Sequence, residues 1–284
     1  MRRREVLTKA FNRIMFGTIA SVIINPFEVA DPLTPLASTV TTRPTPIPPE
    51  GSASRRNAQD QYLMRYDWTD RLKRQWRLKF SVDRSVYTTA AKQSHGYLSA
   101  FENAKTSRIA RQLTERLPAT KLRQNIMGPL SERARLECAI GFVHSLGYMI
   151  DPDSKGVPEY HRTVAETLVD GGGDCKDLTY LLVGILSQEP FEYRTAMVFL
   201  PEHMLVGVRK ADLPATYADA PTLPGGRYVA IDSSSSQPVG TFDDKPVLAI
   251  YNDGFNYLDR AAIVDTTGEF LRDPTDFQIV SNLR

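Results

Sequence analysis

The sequence predicts an α+β domain in which a helix that begins at a cysteine packs on an antiparallel sheet. Apolar residues recur between positions 175 and 188 at the spacing of one helix face. Three strand patterns follow, at residues 193–200, 203–208 and 227–231. Because helical patterns come first and strand patterns after them, we expect the strands to form a sheet against which the helix packs.

The first half of the folded region is predicted to contain one strand and two helical segments. Every second residue is apolar in residues 75–82, which indicates a half-buried strand. Residues 97–117 are predicted to be helical, with inward positions at Leu98, Phe101, Ile109, Leu113 and Leu117. A stronger helix opens at Ser131, and its broad buried face holds Leu136, Ile140, Val143, Cys138, Phe142 and Leu146.

Short elements and turns are predicted on either side of the cysteine helix. Residues 151–156 are polar and rich in turn-forming residues, so they are predicted to be a loop. Residues 164–169 are predicted to form a single helical turn that leads into three glycines at 171–173. Further along the chain, the pattern predicts one more strand at residues 247–251.

The N-terminal residues predict an exported or membrane-tethered protein. Residues 1–29 combine a basic start with an apolar segment, as a signal peptide or N-terminal membrane anchor does. Residues 30–55 are rich in Pro, Thr and Ser, which is typical of an extended linker. The remainder divides into a strand and helix part at 56–130 and the main domain at 131–284. We therefore expect an extracellular or cell-surface location, with membrane association through the apolar segment; an amphipathic helix in a cytoplasmic protein is the alternative.

The formal net charge of +2 is unevenly distributed along the chain. Residues 51–137 hold roughly 18 Lys and Arg against 8 acids, whereas residues 138–284 hold roughly 11 against 21. In the basic part the charges alternate with apolar residues, as they do on the solvated face of a strand. We therefore expect no nucleic-acid partner.

Cys175 follows three glycines at the predicted start of a helix. The free N–H groups and the positive dipole end of a helix N-terminus stabilise a thiolate, which is the nucleophilic form of cysteine. Gly173 lets the backbone of a substrate approach closely. Asp174 is the predicted N-cap, and Asp177 is placed to accept hydrogen bonds from the first turn. Cys175 is therefore a candidate nucleophile.

A general base is needed beside the thiol, and His203 is the best placed of four histidines. It begins the strand pattern at 203–208, where a sheet can hold its imidazole over a helix N-terminus. Asp232 follows the next strand pattern, at 227–231, and can orient the imidazole. The alternative for Asp232 is a turn residue at the end of that strand.

Three runs of residues together resemble the transglutaminase-like superfamily of papain-type cysteine enzymes, especially its prokaryotic members. They are residues 159–168 (EYHRTVAETL), 172–177 (GGDCKD) and 200–208 (LPEHMLVGV). The resemblance covers roughly residues 138–240. It implies that Cys175 is the nucleophile, His203 the general base and acid, and Asp232 the orienting carboxylate. Lys176 stands where many members of the superfamily have an acid.

The resemblance implies acyl transfer or amide hydrolysis through a thioester on the cysteine, with a protein or peptide amide as substrate. This chemistry requires no cofactor and no metal, and dependence on calcium stays open at this point. Gly173 and Asp174 are expected to line the substrate site. Tyr160 and His161 are expected there as well, as candidates for the second oxyanion donor beside the Cys175 N–H.

Other interpretations remain open at this point. The same fold can serve as a catalytically inactive module that binds an extended peptide at the cell surface, and a cytoplasmic scaffold is a third class. Cys175 can be a small buried apolar residue, as Cys138 is predicted to be. In an exported protein the two cysteines can also form a disulfide, which would block catalysis.

Overall fold

A computed structural model of the chain describes residues 51–57, 59–92, 96–117 and 130–259, with side chains from residue 54 onwards. The predicted signal or anchor segment lies outside these ranges, as do most of the predicted linker and the last residues of the chain. Among the described residues no helix combines the length and the apolar character that a bilayer crossing requires.

The described strands form three sheets. They are β1 (Gly51–Asn57), β2 (Gln61–Thr69), β3 (Gln75–Asp83), β4 (Gly147–Tyr148), β5 (Gly172–Gly173), β6 (Thr195–Leu200), β7 (His203–Arg209), β8 (Tyr228–Ile231), β9 (Ala249–Tyr251) and β10 (Phe255–Leu258). β1, β2 and β3 form an antiparallel meander, and the larger antiparallel sheet has the order β10-β9-β6-β7-β8. β4 and β5 pair in parallel.

Among the described helices, one lies against the larger sheet, and the others pack on that helix, on one another or on the meander. They are α1 (Arg84–Ala90), α2 (Tyr97–Lys105), α3 (Arg108–Arg116), α4 (Glu132–His144), α5 (Asp151–Lys155), α6 (Val164–Asp170) and α7 (Cys175–Leu186). α7, the helix that begins at the cysteine, lies against β6 and β7. The predicted α+β class, with this helix on an antiparallel sheet, is confirmed.

α7 is the centre of the hydrophobic core. All of residues 176–186 are buried, because α2, α3, α4 and α6 cover the sides of the helix that the sheet leaves open. Gly184 permits this close packing, since a Cβ at that position would lie 3.1 Å from the carbonyl oxygen of Ala104. The apolar stripe predicted from the sequence therefore understates how deeply the helix is buried.

The N-terminal meander packs on the same core as the main domain. The indole of Trp68 stacks on Trp76 and meets the ring of Phe142 in α4 edge-on, with centroids 5.3 Å apart in the latter pair. The Tyr66 hydroxyl donates to the carbonyl oxygen of Leu168, in α6, at 2.9 Å. In the described ranges, residues on both sides of position 130 thus belong to one core.

One local expectation from the sequence is wrong, and a second is confirmed with a break in the helix. Residues 151–156, predicted to be a loop, contain the short helix α5, because Pro152 suits a first helical turn and Gly156, at φ +70°, ends the helix. The predicted helical segment 97–117 is split into α2 and α3. Ser107 causes the break, since its side chain accepts a hydrogen bond from the Ala110 N–H and caps α3.

The meander also contains strands that the sequence pattern did not reveal. β1 begins at Gly51, inside the range that composition assigns to the linker. β2 was not predicted, because Tyr62, Leu63 and Met64 are consecutive and hide the period of two. The register of β2 with β3 brings the alternating positions together, with Trp68 opposite Trp76. The strand predicted at 75–82 is confirmed as β3.

β4 and β5 approach so closely that only glycine is tolerated at one position. A Cβ on Gly172 would lie 1.9 Å from the carbonyl oxygen of Gly147. We expect Gly172→Ala to lower the free energy of unfolding by about 3 kcal/mol or more, because backbone would have to move. Gly254→Ala is the matched control, since a Cβ there meets nothing within 4 Å. Urea denaturation of both variants checks this, and equal stability would contradict the close approach.

Candidate active site

Local capping places Cys175 at the first position of α7. Gly171, at φ +81°, ends α6, and the chain then passes through β5 into the next helix. The Asp174 carboxylate accepts from the N–H groups of Lys176 at 3.1 Å and Asp177 at 3.3 Å. The side chain of Asp177 in turn accepts from the Asp174 N–H. This reciprocal capping box holds the turn on which the thiol is presented.

His203 and Asp232 come together because β7 and β8 are antiparallel neighbours. His203 is the first residue of β7, and Asp232 directly follows β8. Because the two strands are antiparallel, both residues lie at the same end of this strand pair. The His203 Nε2 atom lies 3.2 Å from Asp232 Oδ2. The other carboxylate oxygen of Asp232 accepts from the N–H and hydroxyl of Ser234, each at 2.9 Å, and from the Ser235 N–H.

Cys175 lies beside this pair. Its thiol lies close enough to the His203 imidazole to raise the pKa of that ring. Since Nε2 faces Asp232, Nδ1 is the ring nitrogen left for the thiol. Cys175 and His203 are both partly exposed, whereas Asp232 is buried. The structure thus brings the three predicted catalytic residues together, with the nucleophile candidate open to solvent.

The electrostatics of the pair favour a charged imidazole. Burial by itself lowers the pKa of His203, but hydrogen bonds and charge interactions with Asp232 and Cys175 raise it to about 10. Burial by itself raises the pKa of Asp232, and the hydrogen bond and charge of His203 outweigh it, so that this pKa is held well below its usual range. At neutral pH the site therefore contains an imidazolium and a carboxylate.

Tyr148 is a site residue that the sequence analysis missed. It lies in β4, opposite Gly173 of β5, and this pairing carries its ring to the start of α7. Its hydroxyl interacts with both the backbone N–H and the thiol of Cys175. The side chain is 39% exposed, so it borders the open side of the thiol. No periodic pattern in the sequence marks this two-residue strand.

Tyr160 and His161 each have a hydrogen-bond partner of their own. The Tyr160 hydroxyl donates to Glu166 at 2.5 Å. His161 is buried, with Nδ1 3.1 Å from the hydroxyl of Tyr180 and its ring edge-on to Tyr97. Gly173 and Asp174 directly precede Cys175. Gly173 pairs with Tyr148 between β5 and β4, and Asp174 caps α7.

A buried network of charged side chains lies under the start of α7. Arg162, almost completely buried, donates to Asp151 at 2.8 Å and to Asp177 at 2.6 Å. The Lys176 ammonium bonds to Asp151 at 2.6 Å and also to Asp174. Burial lowers the pKa of Lys176, but the surrounding carboxylates raise it well above its ordinary value, so the side chain stays charged.

The acids of this network outnumber its cations. Burial and the charge of Asp177 raise the pKa of Asp174 to about 7, although Lys176 acts in the opposite direction. Carboxylate oxygens of Asp151, Asp174 and Asp177 lie within 4.8 Å of one another, which is close enough for one cation to contact all three. Among the described residues these three have that spacing, and Arg162 and Lys176 already pair with their oxygens.

The remaining cysteine and one further histidine have structural surroundings. Cys138 is buried in α4, and burial raises the pKa of its thiol. Both cysteines are free, so the disulfide considered from the sequence is not formed. His144 Nε2 lies 2.9 Å from the carbonyl oxygen of Asp232, which ties α4 to the edge of the sheet that carries the site.

No protein-family model matches the sequence, and no curated protein does. The chain is similar in structure to LapG of Legionella pneumophila. Calcium-bound LapG is 18% identical with a TM-score of 0.32, over 66% of this chain and 99% of that chain. A second LapG structure is 17% identical with a TM-score of 0.34, over 66% and 98%. A likeness at this level concerns the course of the chain and carries no statement about activity or ligands.

The raised pKa of His203 predicts a specific pH dependence of stability. A group whose pKa is raised on folding stabilises the protein below its unfolded value and loses that contribution as the pH passes the folded value. We expect the stability advantage of the wild type over His203→Gln to be full below about pH 6.5 and to vanish towards pH 10. Urea denaturation of both proteins across this range measures it; a difference that is constant with pH would contradict the charged pair.

Proposed function

We propose that the protein is a transglutaminase-like cysteine enzyme that transfers an acyl group through a thioester on Cys175. The observation that supports this most is the His203–Asp232 pair beside a thiol at the capped start of a helix. An imidazolium and a helix N-terminus both stabilise a thiolate, so the cysteine is prepared for attack before substrate arrives. The proposed substrate is an amide of a protein or peptide.

In the first step, the thiolate sulfur attacks the carbonyl carbon of the amide, and the carbonyl electron pair moves to its oxygen. Collapse of this tetrahedral intermediate breaks the carbon–nitrogen bond and leaves the thioester. The departing amine takes the proton from Nδ1 of His203, which becomes neutral. Asp232 keeps the ring oriented through Nε2 while this proton moves.

In the second step, water or an acceptor amine attacks the thioester carbon and gives its proton to Nδ1 of His203. The carbon–sulfur bond then breaks, and Cys175 returns as thiolate beside the recharged imidazolium. Water as acceptor makes the protein a hydrolase, and an amine makes it a transferase. The partly exposed thiol leaves room for either acceptor.

The oxyanion that forms in both steps needs donors, and we assign them to the Cys175 N–H and the Tyr148 hydroxyl. In the free protein this hydroxyl interacts with that same N–H, so it already lies where a substrate oxygen would approach. The hydroxyls of Tyr160 and Tyr180 are engaged with Glu166 and His161 instead. Tyr148 is also the most exposed of these, since Tyr160 is half-buried and Tyr180 is buried.

Export or attachment to a membrane through residues 1–29 remains part of the proposal. Its support is the basic and then apolar order of that segment. A cell-surface location would give the enzyme access to protein substrates outside the cytoplasm. Fractionation of cells that express the full chain, with detection in membrane, cytosolic and secreted fractions, tests this.

Replacing each proposed catalytic residue has a graded expected effect. With p-nitrophenyl acetate as an acyl donor, Cys175→Ala should abolish acylation, and His203→Ala should slow it about 10³-fold or more. Asp232→Ala should cost less, because it acts through the imidazole. The rates follow from p-nitrophenolate release, and mass spectrometry locates the acetyl group.

Cys138→Ala is the matched control, since this thiol is buried away from the site. It should acylate at the wild-type rate. An undiminished rate in Cys175→Ala would refute the proposal. A folded wild type that neither acylates nor reacts with iodoacetamide at Cys175 would favour the inactive peptide-binding module.

Tyr148→Phe separates oxyanion binding from activation of the thiol. Acylation by p-nitrophenyl acetate passes through an oxyanion and should slow about 10²-fold. Alkylation by iodoacetamide displaces iodide at a saturated carbon and forms no oxyanion, so its rate should not fall. Tyr257→Phe, whose lost hydroxyl bonds to Asp259, should leave both rates unchanged. An equal loss in both reactions would show that Tyr148 acts on the thiol instead.

A further inference from the structure

Three carboxylates beside the thiol, two of them buried and that of Asp174 half-buried, have the chemistry of a divalent cation site. Asp151 comes from the first turn of α5, and Asp174 and Asp177 come from the start of α7. Oxygens of the three lie within 4.8 Å of one another. Hard cations such as Ca²⁺ and Mg²⁺ prefer carboxylate oxygens in this kind of cluster. By the three carboxylates alone, the cluster therefore has the ligands of a metal site.

A cation of the protein's own already lies in this cluster. The Lys176 ammonium is 2.6 Å from Asp151 Oδ2 and 3.1 Å from Glu159 Oε1, and it also bonds to Asp174 Oδ2. The ammonium donates hydrogen bonds to Asp151 and Asp174 and forms an ion pair with Glu159, so three carboxylates surround its N–H donors. The side chain is only 4% exposed, so its position is enclosed by protein.

The remaining oxygens are engaged too. Arg162 takes Asp151 Oδ1 and Asp177 Oδ2, while Asp174 Oδ1 caps α7. A divalent ion among these oxygens would have to displace hydrogen bonds and would lie against the Lys176 ammonium, at a cost in charge repulsion. As the chain stands, the carboxylates do not fit a metal.

We propose that the Lys176 ammonium takes the place of a divalent cation in this cluster and positions the start of α7. One oxygen of Asp174 holds Lys176 and the other caps the helix, so the ammonium fixes the carboxylate that orients the Cys175 turn. Lys176 is thus a positioning residue. The occupation of the cluster by Lys176 does not depend on the proposed function, whereas its effect on the reactivity of the Cys175 thiol rests on that function.

The test removes the ammonium and offers a metal in its place. Lys176→Met keeps an unbranched side chain of similar length without the charge. Isothermal titration with CaCl₂ or MgCl₂ should detect no binding to the wild type at the cluster and binding to Lys176→Met. The wild-type Tm and its rate of iodoacetamide alkylation at Cys175 should be the same with EDTA and with CaCl₂.

In EDTA, Lys176→Met should melt several degrees lower than the wild type and alkylate several-fold more slowly. Addition of Ca²⁺ or Mg²⁺ should raise the Tm and the alkylation rate of Lys176→Met towards the wild-type values, because binding to the folded state stabilises it. Lys105→Met is the control, since this lysine also pairs with acids but lies away from the site. It should show no response to either cation.

Two results would overturn the inference. One is a wild type whose Tm and alkylation rate fall in EDTA and recover with Ca²⁺, which would mean that a metal is used despite the lysine. The other is a Lys176→Met protein that neither loses Tm nor binds cation. If Lys176→Met does not fold, the test uses Lys176→Gln and the comparison of the wild type in EDTA with the wild type in CaCl₂. Cation binding without any acylation of Cys175 would support this inference and refute the proposed function instead.

Discussion

The buried carboxylate of Asp177 constrains the whole region around the thiol. It accepts from the backbone N–H and the guanidinium of Arg162, at 2.8 and 2.6 Å, and from the N–H of Asp174. A buried charge that loses a partner destabilises a protein by several kcal/mol, about 3–5 in measured cases. The first turn of α7, the residues that precede α6 and the cap of α7 must therefore be in place together. Cys175 is held at the rim of this arrangement.

Two kinds of contact hold the candidate site in place, ion pairs on one side and hydrogen bonds to the sheet on the other. Charged groups lie below the start of α7, and the edge of the larger sheet lies beside it. On the sheet side, His144 of α4 bonds to the carbonyl of Asp232, and Thr179 of α7 lies 3.0 Å from the hydroxyl of Ser233. The strand end that carries Asp232 is thereby fixed to both helices. The imidazole of His203 is oriented by a carboxylate that cannot move independently of the core.

Most of the α+β core and the three candidate catalytic residues could be predicted from the sequence. The helix at 175–188 has a strong 3.6-residue period, and His203 and Asp232 lie at the ends of apolar runs that form neighbouring strands. Elements of mixed pattern were harder. β2 carries three consecutive apolar residues, and α5 consists of turn-forming residues, so in both cases the local signal pointed to another structure. Tertiary packing overrides such weak local preferences.

The sequence by itself determined what depends on spacing along the chain: the fold class, the capped start of α7 and the strands that end near the thiol. Only the tertiary structure decided which side chains surround that thiol. Tyr148 reaches it through a pairing of backbone groups in β4 and β5, which leaves no side-chain pattern to recognise. Lys176 turns inward because the carboxylates of Asp151 and Glu159, from outside α7, meet it together with that of the cap residue Asp174. Such convergence depends on contacts between residues distant in sequence, which periodicity does not encode.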